Sequence, residues 1–180
     1  MTNDEMSVAR TGYQLHGRID MIRNATAQDA EKICAVYNHY VLGTTITFEE
    51  EAVSAEMMRK RITDVTAAYP WLVFEDGGEV MGYAYARKFH ERAAYRHTAE
   101  LAVYLAHGYH GKGAGSALYR ELIARLKKIN VHVALGGIAL PNEKSVALHE
   151  KLGFKKVAHL EEVGWKFGQW IDVGFWELKL

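Results

Sequence analysis

The hydrophobic residues of this chain recur with two different spacings, which predict helices and strands in turn. Ile33, Val36, Tyr37, Tyr40 and Val41 are spaced as on one face of a helix, whereas shorter runs of β-branched and aromatic residues indicate strands. The predicted strands are 22–25, 71–74, 80–87, 97–105, 131–139, 155–162 and 169–180. The predicted helices begin at Thr26, near residue 54, after the turn at 108–115, and at residue 142.

Short local patterns mark the ends of several of these elements. Thr26 and Asp29 have the spacing of a capping pair that opens a helix. Gly77 and Gly78 follow Asp76 between two strands, as in a tight hairpin. The order of strands and helices, without a repeat or a linker, predicts one mixed α/β domain.

Length and composition narrow the class of protein. A chain of 180 residues suits one compact domain, and we divide it into an N-terminal extension, 1–20, which shows neither spacing, and a domain, 21–180. Lys plus Arg and Asp plus Glu number 22 each, which argues against nucleic acid or a membrane as partner. Cys34 is the only cysteine, and no apolar run is long enough to span a bilayer. We therefore expect a cytoplasmic protein.

A glycine-rich turn, 108–115, lies between a predicted strand and a predicted helix. Glycines allow backbone N–H groups to turn inward, and the N-terminus of a helix attracts anions. Lys112 adds a cation, so the turn is suited to a pyrophosphate, although a turn without a ligand remains the alternative. It is not a P-loop, because Gly113 follows Lys112 where Ser or Thr is needed. The dinucleotide fingerprint also fails, because Gly115 comes one residue early.

Four segments together resemble the GNAT superfamily of N-acetyltransferases. The turn resembles its Q/R-x-x-G-x-G/A cofactor loop, with His110 in place of Gln or Arg. Residues 140–154 resemble the P-N-x-x-S-x-x-x-H-E-x-L-G motif of the phosphinothricin and methionine sulfoximine acetyltransferase branch, and 69–73 and 164–176 agree with it. The resemblance implies an α/β (α+β) fold: a mixed, mostly antiparallel sheet of about seven strands, flanked by helices and splayed to hold a cofactor. It also implies acetyl-CoA as co-substrate and a homodimer.

The resemblance assigns residues to cofactor binding. They are Val103, Tyr104, Leu105, His110, Gly111, Lys112, Gly113, Ala114, Gly115, Ser116, Asn142 and Ser145. The three strand residues would pair with the pantetheine arm through their backbone. For Asn142 and Ser145, simple helix capping is the alternative.

Two residues are the candidates for proton transfer. Glu100 lies inside a predicted strand, where a carboxylate has few structural reasons to occur unless it faces a cavity. By resemblance it is the general base, acting directly or through water; a solvated surface charge is the alternative. His149 matches the position of the general acid, and an unperturbed imidazole titrates close enough to working pH to donate a proton to a thiolate. The alternative for His149 is a structural histidine whose hydrogen bonds are satisfied at a boundary between helix and sheet.

The acceptor site is less well defined by the sequence. Arg92, Tyr95 and Arg96 could clamp a carboxylate, although a solvated loop is an equal alternative, and Phe48 and Phe167 match aromatic positions of the branch. We expect a small amino-acid-like amine such as phosphinothricin, methionine sulfoximine or methionine sulfone. The alternatives are an acyl-CoA-binding sensor without turnover and acetylation of a protein or peptide. No metal is expected, because the nine histidines lack ligand spacing such as H-E-x-x-H.

Overall fold

The computed structural model describes residues 11–15 and 18–180, which form one sheet with helices on both faces. The strands are β1 (Thr11–Leu15), β2 (Arg18–Asn24), β3 (Trp71–Asp76), β4 (Glu79–Lys88), β5 (Thr98–Leu105), β6 (Val133–Leu140), β7 (Lys155–Lys166) and β8 (Gln169–Lys179). The helices are α1 (Ala30–Gly43), α2 (Ala55–Thr66), α3 (Ala114–Lys128) and α4 (Glu143–Lys151).

The sheet is mixed and mostly antiparallel, as predicted. Its strand order is β1-β2-β3-β4-β5-β6-β8-β7, and only β5 and β6 pair in parallel. The order of elements from β2 onward is the predicted one. The capping box of Thr26 and Asp29 and the left-handed conformations of Gly77 and Gly78 in the β3–β4 turn confirm two of the local predictions.

The N-terminal segment contains more strand than its side-chain pattern predicts. β2 begins at Arg18 rather than Ile22, and β1 precedes it and pairs with it in antiparallel register. Backbone hydrogen bonds hold an edge strand, so its side chains need not alternate clearly. The division into 1–20 and 21–180 stays a prediction, and residues 1–10 and 16–17 lie outside the described part of the chain.

Alternate residues of the central strands pack against different helix layers. On β3, Leu72 and Phe74 belong to the apolar cluster of α3, whereas Trp71 and Val73 belong to the cluster of α1 and α2. All four side chains are buried. A strand covered on both faces reads as a continuous apolar run, which explains the sequence Trp-Leu-Val-Phe at this point.

The sheet opens between β5 and β6. These strands pair only from Thr98–Val133 to Leu101–Gly136. Beyond that point β5 continues along β4, and β6 continues along β8. Residues 102–105 and 137–140 therefore face each other without pairing, and we call this opening the seam. It confirms the splayed gap that the resemblance implies.

The hairpin of β7 and β8 is longer than predicted. β7 continues past residue 162 to Lys166 because the strand passes through an irregularity between Leu160 and Gly164. Glu162 has a positive φ of 51° there, and its N–H donates to Asp172. The predicted strand ends at Glu162, whereas the irregularity there allows the strand to continue to Lys166.

Candidate active site

The seam contains a cavity of about 200 Å³, which we call the seam cavity. It is lined by β5, by β6, by α4, by the glycine-rich turn with α3, and by Tyr40 of α1 and Ile46 of the loop after α1. The predicted cofactor residues among its lining are Val103, Tyr104, Leu105, His110, Gly115, Asn142 and Ser145. The fold thus brings together residues from three separate sequence motifs.

The glycine-rich turn has the backbone conformation that its sequence requires. Gly108, Gly111 and Gly113 have φ values of 75°, 80° and 87°, which favour glycine over residues with a side chain. Gly113 is the N-cap of α3, so the first N–H groups of the helix are available to an anion. The ammonium of Lys112 lies 4.3 Å from the ring centroid of Tyr109. This arrangement fits a pyrophosphate.

His110 links the turn to the rest of the seam cavity. Its Nε2 lies 3.2 Å from the hydroxyl of Tyr40, which donates to the carbonyl of Leu105 at 2.6 Å. Desolvation, followed by the charge of Lys144, lowers the pKa of His110 below 6.5. The ring is therefore neutral near pH 7, and it adds a hydrogen-bonding group rather than the fixed charge that Arg would supply.

Asn142 caps α4 at the edge of the seam cavity. Its Oδ1 accepts a hydrogen bond from the N–H of Ser145 at 3.1 Å. Capping uses the side-chain oxygen and leaves the amide NH₂ as a donor. Capping and cofactor binding are therefore compatible at this residue, and binding stays a prediction.

His149 lies at the inner end of the seam cavity and is only 2% exposed. Its Nδ1 lies 2.8 Å from the carbonyl of Ser145, so Nδ1 carries the hydrogen. Its Nε2 lies 3.3 Å from the hydroxyl of Tyr119, from which it accepts. Burial lowers the pKa of His149 below 6.5. Gly136 leaves the space for the ring, because a Cβ at that position would collide with Nε2.

A second cavity, of about 670 Å³, lies on the α1–α2 face of the sheet. We call it the tyrosine cavity, because it is lined by Tyr37, Tyr83, Tyr85 and Tyr104. Glu100 also lines it, so the carboxylate does face a cavity.

Glu100 is paired with an arginine from the neighbouring strand. Its Oε2 accepts from Nε and Nη2 of Arg87 at 3.1 and 2.9 Å, because the two residues are opposite each other in the antiparallel register. Its Oε1 would lie 3.6 Å from a Cβ built on Gly137, at the seam. One carboxylate oxygen is thus held by Arg87, while the other points toward the opening.

A second charged group closes the far side of the tyrosine cavity. Glu49 accepts from both terminal nitrogens of Arg61 at 2.7 and 2.9 Å and from the hydroxyl of Tyr37 at 2.8 Å. The hydrogen bonds from Arg61 hold the pKa of Glu49 below its ordinary value. Glu49 therefore stays ionised at neutral pH.

The predicted acceptor residues are only partly brought together. Phe48 lines the tyrosine cavity. Arg92, Tyr95 and Arg96 lie on an exposed turn, and none lines either cavity. Phe167 is 57% exposed at the tip of the β7–β8 hairpin and also lies outside both cavities.

The sequence reasoning missed the arginines that do line the tyrosine cavity, Arg61 and Arg87. Arg87 could have been found, because it follows Tyr83 and Tyr85 at two-residue spacing and so faces the same side of β4. Arg61 lies on α2, where an arginine reads as an ordinary surface residue.

The described residues contain neither a group of metal ligands nor a membrane-spanning helix. Within 11–15 and 18–180, no three His, Cys, Asp or Glu side chains are grouped as metal ligands would be. In the same part of the chain no helix has the length and apolar character needed to cross a membrane.

Comparison with known proteins identifies the family. A model described as an acetyltransferase (GNAT) domain matches residues 22–174. The chain is 38% identical to a phosphinothricin N-acetyltransferase of Streptomyces viridochromogenes, covering 87% of this chain and 85% of that protein. It is 36% identical to an L-methionine sulfoximine/L-methionine sulfone acetyltransferase of Salmonella typhimurium, with 88% and 94% covered.

A solved structure agrees with the sequence comparisons. The crystal structure of a GNAT superfamily phosphinothricin acetyltransferase from Sinorhizobium meliloti, in complex with AcCoA, superposes with a TM-score of 0.86 at 36% identity. It covers 89% of this chain and 88% of that one. The family model spans most of the sequence, and the relatives match over nearly their whole length. The chain therefore belongs to the GNAT acetyltransferase family and is an acetyl-CoA-dependent N-acetyltransferase.

Proposed function

We propose that this acetyltransferase acetylates the amino group of a small amino-acid-like acceptor of the phosphinothricin, methionine sulfoximine or methionine sulfone type. One observation carries the proposal: the seam cavity and the tyrosine cavity meet. Six residues line both cavities: Ile46, Leu101, Ala102, Tyr104, Gly137 and Ala139. A thioester that enters from one face and an amine that enters from the other would therefore react where the sheet opens, which satisfies the requirement for close approach.

The tyrosine cavity has the size and charge that an amino acid needs. About 670 Å³ falls within the range of small-molecule sites. Arg87 uses Nε and Nη2 for Glu100, which leaves Nη1 outside that pair. We assign this nitrogen to the acceptor carboxylate, since guanidinium groups bind carboxylates well. Arg87 thus takes the role that the sequence analysis assigned to Arg92, Tyr95 and Arg96.

Glu100 is the proposed base. Its Oε1 points toward the seam, where the acceptor ammonium would lie, and it takes a proton from that ammonium directly or through one water molecule. The free amine then attacks the thioester carbonyl, a C–N bond forms, and the C–S bond breaks. The leaving thiolate requires a proton.

His149 is the proposed source of that proton. The attacking nitrogen releases a second proton as it becomes an amide nitrogen. The resting ring is neutral and donates from Nδ1 to Ser145, so it must gain this released proton at Nε2 before it can pass it to the thiolate. The hydroxyl of Tyr119 is hydrogen-bonded to that nitrogen, so we propose that the two groups share the transferred proton. This extends the sequence-based proposal, in which His149 acted alone.

A coupled assay of thiol release tests the acceptor class. The panel contains methionine sulfoximine, methionine sulfone, phosphinothricin, a polyamine and a peptide. We expect turnover of the three amino-acid analogues, strongly reduced by Glu100→Gln. Glu91→Gln is the matched control, because Glu91 is exposed, pairs with Lys88 and lines neither cavity. Turnover of the peptide alone, or binding of acetyl-CoA without turnover of any amine, would refute the proposed acceptor.

A second copy of the chain is the proposed partner. Trp165 and Trp170 on the β7–β8 hairpin are 52% and 59% exposed, and their ring centroids are 4.8 Å apart. An exposed aromatic patch on an edge hairpin is typical of a protein interface. Light scattering should give twice the mass of one chain, and Trp170→Glu should reduce it; a monomeric wild-type protein would contradict this.

The proposed location is the cytoplasm. Cys34 is a free, buried thiol, which a reducing compartment keeps intact. Cell fractionation tests this, and recovery of the protein outside the cytoplasm would contradict it.

A further inference from the structure

One buried charge is not used by the proposed reaction. Lys166, near the end of β7, is 0% exposed. Its ammonium donates to the carbonyls of Val41 and Thr47 at 2.7 and 2.8 Å. Burial lowers the pKa of Lys166, and the carboxylates of Glu50 and Glu49 oppose that shift. Since burying an ammonium is unfavourable unless it is fully hydrogen-bonded, its position calls for an explanation.

The two carbonyls belong to the end of α1 and to the loop that follows it. Val41 lies in the last turn of α1, where carbonyls lack helical partners and a cation is favoured. Thr47 lies in the 44–54 loop, which joins α1 to α2. Lys166 therefore ties this loop to the C-terminal hairpin, far away in sequence.

The 44–54 loop forms one wall of the tyrosine cavity. Ile46, Thr47, Phe48 and Glu49 all line it. The hairpin holds the loop at a second point, because a Cβ on Gly164 would collide with the ring of Phe48. The position of the wall therefore depends on contacts made by β7.

We propose that Lys166 is a positioning residue for acceptor binding: its ammonium holds the 44–54 loop in the conformation that closes the tyrosine cavity. The inference rests on the proposed function, because it takes this cavity as the acceptor site. Loss of the ammonium removes the hydrogen-bond donor of two carbonyls, so the 44–54 loop is no longer held in place. Ile46 is the one residue of this loop in the lining of the seam cavity, whereas four loop residues line the tyrosine cavity, so cofactor binding should change less than acceptor binding.

The test uses Lys166→Met, which keeps the apolar stem and removes the charge. We expect the KM for the acceptor to rise about tenfold or more, since a lost hydrogen bond to a charged group weakens an interaction by about that factor. The KM for acetyl-CoA should change less than about twofold. Amide hydrogen exchange in the 44–54 loop should accelerate by a similar factor. Lys155→Met is the matched control, because Lys155 lies on the same strand and is exposed; it should change neither quantity.

Several outcomes would overturn the inference. An unchanged acceptor KM, or an equal rise in both KM values with a lower Tm, would show that Lys166 only stabilises the fold. If Lys166→Met is insoluble, Lys166→Gln keeps a neutral donor and should show the same split with a smaller change; no split would be a refutation. If the wild-type enzyme acetylates none of the amino-acid analogues, the proposed function fails, and hydrogen exchange in the loop still decides whether Lys166 positions it.

Discussion

Gly136→Ala offers a sharp test of the packing around His149. The added Cβ would lie 2.6 Å from Cδ2 and 3.3 Å from Cε1 of the imidazole, and closer still to Nε2. The ring cannot retreat easily, because Nδ1 is bonded to Ser145 and the rings of Tyr119 and Phe154 pack edge-on against it.

The expected loss of stability follows from three contributions. Overpacking a buried site costs about 1–3 kcal/mol, and the displaced hydrogen bond between His149 and Tyr119 costs about 1 kcal/mol. Replacing Gly136 by alanine also restricts the unfolded chain, which offsets about 0.4–1 kcal/mol. The net loss in free energy of unfolding is therefore about 1–3.6 kcal/mol, measured by urea denaturation with an unchanged m-value.

A double-mutant cycle isolates the cause. In a His149→Ala background the space is vacant, so Gly136→Ala should cost less than about 0.5 kcal/mol. Gly115→Ala is the control, because a Cβ there would meet Leu148 and Leu105 at ordinary distances of 3.4 and 3.7 Å. Equal costs of Gly136→Ala in the two backgrounds would refute the reasoning.

Two further predictions follow from the seam cavity. Because burial lowers the pKa of His149 below 6.5, the unfolded chain takes up a proton that the folded protein does not as pH falls below 6.5. The free energy of unfolding then falls by at most about 1.4 kcal/mol per pH unit until the pKa of His149 in the folded protein is reached. Measured by urea denaturation between pH 7.5 and 5, the free energy of unfolding of His149→Gln should depend less on pH than that of the wild type. An equal dependence on pH in the two proteins would contradict this. Asn142→Ala should lower the free energy of unfolding by about 1 kcal/mol, because a helix cap is lost, and should also weaken acetyl-CoA binding measured by calorimetry. Asn142→Asp should keep the cap. If Asn142→Ala binds acetyl-CoA with full affinity, Asn142 serves only as a cap.

Much of the fold could be predicted because local chemistry determines it. Gly77 and Gly78 in the β3–β4 turn, and Gly108, Gly111 and Gly113 before α3, adopt positive φ values that few other residues tolerate, so their sequence positions mark those turns directly. The strand at β3 was recognisable from four consecutive apolar residues. The end of β7 was not, because the predicted strand stops at Glu162, and the bond from Glu162 to Asp172 that accompanies the irregularity forms only once β7 and β8 pair.

The candidate site was predicted unevenly for a related reason. The seam residues lie within contiguous motifs, so one resemblance located most of them. The tyrosine cavity is assembled from α1, the 44–54 loop, α2 and five strands, and the register between Arg87 and Glu100 exists only once β4 and β5 pair. A charged loop such as that of Arg92 and Arg96 looks suitable in sequence, yet only tertiary structure shows that it lies away from the cavity.

The early end of the β5–β6 pairing also affects how the protein should be handled. Backbone groups at 102–105 and 137–140 form inner edges that face each other without a ladder, and unpaired edges invite association with other extended chains. A pantetheine arm would supply hydrogen bonds to these unpaired backbone groups. Free coenzyme A at 100 times its dissociation constant should therefore raise the free energy of unfolding by about 2.7 kcal/mol by mass action. Preparations stored with the coenzyme should therefore resist heat and precipitation better than those from which it has been removed.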